Sequence, residues 1–329
     1  MGKAYIVFFS LLTATSSVYF LLLAIVLSNS AALLLTGSAM QYGGAASIYG
    51  HLSLLATLLP LSMLCEALLY FGYQVLKPRL PRHFVKWDII PNHNVVVAMT
   101  AYNDEASIYD AVEEFKSQPF VKEVIVVNNN SVDRTSELAK LAGARVVDEP
   151  QQGYGYACIR GLKEALKFPK VNAVLLAEGD MTFDGKDLSK MIPYLDNVDM
   201  VVGTRTTQEL TNEDSQMDWF YQWGNVLLAK MVQAKFFDIR HWGGVRLTDV
   251  GCTMRAIRAE ALKTIVDKLS VGGNTFSPHM LMTAISNGLH LIEIPITFRK
   301  RWGESKGAGA GKLKAASIGL QMMWHIVSF

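Results

Sequence analysis

The sequence predicts an α/β fold, a mostly parallel sheet with helices on both faces, preceded by an N-terminal transmembrane helical hairpin. Two observations carry this reading. From residue 94 to 203, short β-branched apolar runs alternate with stretches of helical spacing. Such alternation implies a parallel sheet covered on both sides. Between Lys3 and Glu66, no residue is charged apart from the titratable His51. A bilayer crossing needs about 20 mostly apolar residues.

The membrane elements come first. Residues 4–28 form an apolar run long enough to cross. Residues 36–47 are Gly/Ser-rich and more polar, and a second apolar run covers 48–75. Pro60 within it is tolerated in membranes, and Glu66 faces the interface or the partner helix. A signal peptide is the competing reading of the first run; its minimal n-region and the second run speak against it. Lys77, Arg79, Arg82 and Lys86 follow the second run. The positive-inside rule places that flank in the cytoplasm. The expectation is a multi-pass cell-membrane protein with its catalytic domain cytoplasmic. Ile6 stands where a myristoylation signal needs Ser or Thr.

Residues 1–76 are thus expected as the hairpin and 77–93 as a basic linker broken by Pro78 and Pro81. Strands are predicted at 94–99, 121–127, 144–147, 171–177 and 200–203, with helices at 107–118, 131–142 and 157–168 between them. The second half is less regular. Residues 218–232 read as an aromatic-rich amphipathic helix, and 291–298 alternate like a strand. Residues 303–311 form a Gly-rich, Lys-bearing loop. The tail, 312–329, is apolar and helical but interrupted by Lys312, Lys314, Gln321 and His325. It reads as a membrane-interface helix rather than a third span.

Composition narrows the function. Half the residues are apolar, and 31 Lys+Arg balance 29 Asp+Glu. No global basic field points at nucleic acid. Cys65, Cys158 and Cys252 form no CxxC pair, so neither a disulfide framework nor a structural zinc site is expected.

In parallel sheets, ligands bind outside the carboxyl ends of the strands. Three polar groups follow predicted strands: Tyr102-Asn103-Asp104, Asn128-Asn129-Asn130 and Glu178-Gly179-Asp180. Glu178 and Asp180, one residue apart, suit a hard cation that also takes substrate phosphates, Mg²⁺ or Mn²⁺. Gly179 between them lets a ligand approach the backbone. The plain alternative is an acidic turn. The other two groups also suit helix capping, and asparagine can read a nucleobase edge. Gly153-Tyr154-Gly155 is a weak phosphate-loop signal. Arg205, Arg255, Arg299, Lys300, Arg301 and Lys306 are the basic groups; Arg205 directly follows a strand and can reach the same sheet edge, and the run from Arg299 to Lys306 either closes over a diphosphate or forms a basic face beside an anionic membrane.

In this order, these segments resemble family 2 glycosyltransferases of the GT-A fold, nearest to dolichol-phosphate-mannose synthase and related polyprenyl-phosphate glycosyltransferases. The resemblance covers 94–306. It rests on Ala101 to Glu105, Ser131 to Thr135, Gly153-Tyr154-Gly155, Glu178 to Phe183, Val202-Gly203-Thr204-Arg205, Leu247 to Cys252, Arg255, Glu293 to Ile296 and Arg301 to Lys306. It implies a nucleotide-sugar donor held by Thr100, Tyr102, Asp104, Asn128, Asn129 and Gly179, with Arg301 and Lys306 near the diphosphate. It implies metal binding by Glu178 and Asp180, catalysis by these with Arg205, and an acceptor side at Asp249 and Arg255. The chain departs from the family where Thr100 replaces a usual proline, Asn128 and Asn129 replace acids, and Glu178 replaces an aspartate. Tyr221 and Gln222 stand where many relatives carry arginine.

The reaction expected is an inverting transfer to a polyprenyl or dolichyl phosphate. The Gly153-Tyr154-Gly155 and Asp180 to Phe183 variants favour a UDP-sugar over GDP-mannose. One alternative is a processive polysaccharide synthase, although Phe298 stands at the glutamine of the QxxRW pattern that ends in Arg301-Trp302. Another is a non-catalytic membrane scaffold. Homo-oligomerisation is left open.

Overall fold

The run VVVAMTA at Val95–Ala101 is buried at every residue, as a central strand covered on both faces requires. In the computed structural model, which describes residues 61–62, 64–72, 87–237, 244–303 and 311–329, this run is strand β1. Helix α1 (Ile108–Lys116) follows, then β2 (Val121–Asn128), α2 (Thr135–Leu141), β3 (Arg145–Asp148), α3 (Tyr154–Ala165) and β4 (Ala173–Glu178). A helical turn at Leu188–Met191 leads to β5 (Met200–Thr204) and the long helix α4 (Trp219–Lys235). Next come β6 (Arg255–Arg258), α5 (Ala259–Ile265), α6 (Phe276–Ser286), β7 (Leu291–Pro295) and α7 (Lys312–Ser328).

The seven strands form one sheet in the order β3-β2-β1-β4-β6-β5-β7. The pairs β1–β2, β1–β4, β2–β3 and β5–β7 are parallel, while β6 runs antiparallel to both β4 and β5. The mostly parallel α/β sheet agrees with the sequence pattern; β6 was not read from it.

Alternation along β1 feeds two layers. Val95, Val97 and Met99 join one core with Ile108, Val112 and Phe115 of α1. Removing Phe115 from water contributes about 1.5–3 kcal/mol. On the other face α3 lies very close to the sheet: a Cβ on Gly161 would sit 3.1 Å from both Ala98 Cβ and Val127 Cγ2. Any side chain there would push those neighbours back by a few tenths of an ångström. Helix α4 opens at Asp218, whose Oδ1 accepts from Phe220 N at 2.9 Å and Tyr221 N at 3.3 Å, a regular N-cap. Helix α2 begins at Thr135, later than expected, because residues 131–134 form a loop hydrogen-bonded to residues 103–105 after β1.

The C-terminal helix α7 buries Ile318, Ile326 and Val327. Lys235 Nζ donates to Ile326 O (2.6 Å) and Val327 O (3.2 Å), satisfying carbonyls that a helix end otherwise leaves open. His279 Nδ1 lies 3.1 Å from His325 Nε2. Leu313, Leu320 and Trp324 are exposed on the same helix.

Residues 1–79 separate from the remainder as their own unit. Its described part, 61–62 and 64–72, is helical. The first expected span, 4–28, and most of the second lie outside the described residues, as do most of the basic linker and Lys306. Among the described residues, no helix is long and apolar enough to cross a membrane.

Candidate active site

Strand β4 carries Glu178 to the sheet edge, and the next two residues turn under tight constraint. Gly179 N donates to Thr100 O at 3.0 Å, and Ser107 Oγ donates to Gly179 O at 2.8 Å. A Cβ at Gly179 would come within 2.5 Å of Ile108 Cδ1. The triplet is therefore held against β1 and α1, and any side chain at 179 would have to displace Ile108.

Asp180 is buried, its side chain 1% exposed. Its Oδ1 accepts from Thr182 N (3.0 Å) and Thr182 Oγ1 (2.5 Å). Its Oδ2 accepts no hydrogen bond and meets the Arg301 guanidinium as an ion pair. The same Arg301 Nη2 lies 3.3 Å from Glu178 Oε2. Glu178 Oε1 accepts from Thr253 Oγ1. Burial, and next the charge of Asp180, push the Glu178 carboxyl up to about 7, against the pull of Arg301 and Thr253. Arg301 is brought here by the backbone on either side of it: Arg299 N donates to Thr182 O (2.8 Å) and Trp302 N to Asp180 O (3.1 Å).

Two carboxylates, one with a buried oxygen that accepts no hydrogen bond, suit a hard divalent cation. Among the described residues no group of three or more His, Cys, Asp or Glu is placed to hold a metal. The remaining positions would fall to phosphate oxygens and water, the pattern Mg²⁺ prefers.

These residues line a cavity of about 380 Å³ at the carboxyl ends of β1, β4 and β5, a size usual for small-molecule sites. Thr100, Tyr102, Asp104 and Asn129 line it together with Glu178, Asp180, Arg205 and Arg301. Asn129 is buried and committed to the fold. Its Nδ2 donates to Glu149 O (2.9 Å) and Gln151 O (2.7 Å), and its Oδ1 accepts from Gly153 N (2.8 Å). Asn128 does not line the cavity; it bonds Asp148 Oδ1 (2.9 Å) and Ser131 N (3.0 Å). The polar end of β2 thus shapes the loop at 149–153, a task the sequence did not disclose.

Arg205 follows β5 and forks onto Asp249, Nε to Oδ2 at 2.7 Å and Nη2 to Oδ1 at 2.9 Å. Asp249 is fully buried and also accepts from the amides of Gly251 (2.9 Å) and Cys252 (3.1 Å). Burial opposes both charges, yet each partner holds the other ionised: Asp249 raises the pKa of Arg205, and Arg205 keeps Asp249 below the usual carboxylate range. Glu293 fixes the turn beneath, accepting from Thr248 N (2.7 Å) and Asp249 N (2.9 Å). Asp249 therefore reaches the cavity only through Arg205.

Arg255 was expected on the acceptor side. It is buried and absent from the cavity wall, and its guanidinium donates to three carbonyls: Cys252 O (2.9 Å), Ser277 O (2.7 Å) and Val250 O (2.9 Å). Sequence reasoning missed Tyr154 and Thr253, which also line the cavity, and Ile318 and Met322 of α7, which wall it. The tail expected at a membrane interface thus gives one face to the site. Only Tyr154 carried a signal, its place in the Gly153-Tyr154-Gly155 motif.

Residues 96–266, more than half the chain, match the family model described as Glycosyl transferase family 2. The dolichyl-phosphate hexose transferase of Haloferax volcanii is 29% identical over 226 residues, covering 67% of this chain and 91% of that protein. The low-salt glycan biosynthesis hexosyltransferase Agl6 of the same organism is 29% identical over 223 residues, covering 66% of this chain and 50% of that protein. The crystal structure of glucosyl-3-phosphoglycerate synthase from Mycobacterium tuberculosis with Mn²⁺, uridine diphosphate and phosphoglyceric acid superposes with TM-score 0.54 and 16% identity, covering 72% of this chain and 78% of that one. At that identity the likeness shows the fold, a GT-A-like α/β sheet.

Proposed function

Because the chain belongs to glycosyl transferase family 2, we propose that it moves a hexose from a nucleotide-sugar, a UDP-sugar ahead of GDP-mannose, to a polyprenyl or dolichyl phosphate at the cytoplasmic face of a membrane. The observation that carries this is the convergence of Glu178, Asp180, Arg301 and Arg205 on one cavity. A divalent cation there would neutralise charge on the departing nucleoside diphosphate. Glu178 and Asp180 would hold it, and Arg301, already against both, would meet the diphosphate. Arg205, kept charged by Asp249, would hold the acceptor phosphate. Such a phosphate has a second pKa of ~6 and is mostly dianionic at neutral pH, so attack needs no general base. No carboxylate or histidine has to be found for that role. The 29% identical relative with a lipid-phosphate name and the uncharged N-terminal runs support the lipid acceptor and the membrane hairpin.

The test is transfer by the full chain in detergent, with labelled UDP-sugars or GDP-mannose, dolichyl phosphate and Mn²⁺ or Mg²⁺. Label should enter the organic phase only with a divalent cation, and Asp180→Asn should lower the rate by roughly 10²-fold. Label in a water-soluble polymer would point instead to a processive synthase. No nucleotide binding at all would leave a scaffold.

A further inference from the structure

Two sequence features stand outside that account: the glutamate at 178, where the family carries a shorter aspartate, and the tyrosine of Gly153-Tyr154-Gly155. The structure joins them. Tyr154 Oη lies 2.5 Å from Thr253 Oγ1, and Thr253 Oγ1 donates to Glu178 Oε1. Thr253 has one hydroxyl proton. Given to the carboxylate, it leaves the oxygen lone pairs to accept from Tyr154. The order of donation is thereby set, Tyr154 to Thr253 to Glu178. Thr253 is 2% exposed. Tyr154 sits at the start of α3, its ring edge-on to Phe276 of α6 at 6.0 Å and its hydroxyl 3.4 Å from Ser277 Oγ. All three residues line the cavity.

We propose that Thr253 and Tyr154 are positioning residues that hold the long Glu178 arm in the orientation a divalent cation needs. This rests on the reading of Glu178 and Asp180 as cation ligands. A glutamate has one more rotatable bond than an aspartate and loses more freedom on binding. The Thr253 hydroxyl restrains that arm before any cation arrives. It leaves Oε2 facing Asp180, since both Oε2 and Asp180 Oδ2 meet the same Arg301 nitrogen. Tyr154, held by α6, fixes the Thr253 rotamer in turn. Groups that orient metal ligands in this way typically change affinity 10–100-fold when removed.

The experiment titrates Mn²⁺ into the full chain in detergent with UDP or GDP present, reading free Mn²⁺ by electron paramagnetic resonance. Thr253→Val keeps the shape and removes the donor; its Kd should rise about 10–100-fold. Thr253→Ser keeps the hydroxyl and should bind within a few-fold of the native chain. Tyr154→Phe should weaken binding less than Thr253→Val. In a Glu178→Asp background, where the carboxylate falls short of Thr253, adding Thr253→Val should change nothing more. A native chain that binds no Mn²⁺ with either nucleotide would overturn the cation-site reading and the proposal with it. Native binding with Thr253→Val unaffected, or Thr253→Ser as weak as Thr253→Val, would overturn the positioning role alone.

Discussion

Replacing Asp249 with alanine tests the division of labour around Arg205. The carboxylate is fully buried and takes two guanidinium bonds at 2.7 and 2.9 Å, plus the amides of Gly251 and Cys252. Alanine leaves an Arg205 side chain that is 14% exposed without its counter-charge, and two amides without acceptors. Breaking a buried pair from one side costs about 3–5 kcal/mol. At roughly 2–4 °C per kcal/mol for a domain of this size, the unfolding midpoint should fall by about 6–20 °C. The assay is thermal unfolding followed by circular dichroism on the full chain in detergent. Arg205→Leu combined with Asp249→Leu should recover much of the loss, because paired apolar residues avoid the uncompensated charge. If Asp249→Ala unfolded within about 2 °C of the native chain while losing transfer, Asp249 would be acting on the acceptor directly. The structural argument for Arg205 would then fail.

Asn129→Ala removes three bonds that organise the loop at 149–153; it should cost about 1.5–4.5 kcal/mol at 0.5–1.5 kcal/mol per bond and raise the KM for nucleotide-sugar more than it lowers kcat. The anchoring of α7 should depend on pH. Burial, and next the neighbouring His279 and Lys235, hold His325 down at about 4, and burial also lowers His279. The unfolded chain, with histidines near 6.5, binds more protons below that pH. The stability present above pH 6.5 should therefore be lost progressively as pH falls toward 4. Urea midpoints at stepped pH values should show this, and His325→Leu should flatten the slope.

The strands were legible where burial on both faces leaves a plain apolar run, as in β1, β2 and β4. Strand β6, RAIR, escaped because it is four residues long and opens and closes with arginine. Its first arginine is inside, tolerated because carbonyls satisfy it, and no periodicity reports that. Helix α6 escaped for a different reason. It is buried at every residue from Phe276 to Ile285, so it has no polar face to mark its period. At the site, residues at or just past a strand end, such as Glu178, Asp180 and Arg205, could be placed from local order alone. Thr253 and Met322 could not, since they come from distant chain with no motif of their own. The structural role of the asparagines at 128 and 129 was not legible because most of their partners lie some 20 residues on.

The unread strand β6 also sets a distance. Strands β4 and β5 run in the same direction, but β6 stands between them. With neighbouring strands about 4.8 Å apart, the chain leaves the sheet at Glu178 and again at Arg205 roughly 10 Å away. Were β4 and β5 direct neighbours, the two exits would stand side by side. The inserted strand works as a spacer between the exit that carries Glu178 and the exit that carries Arg205.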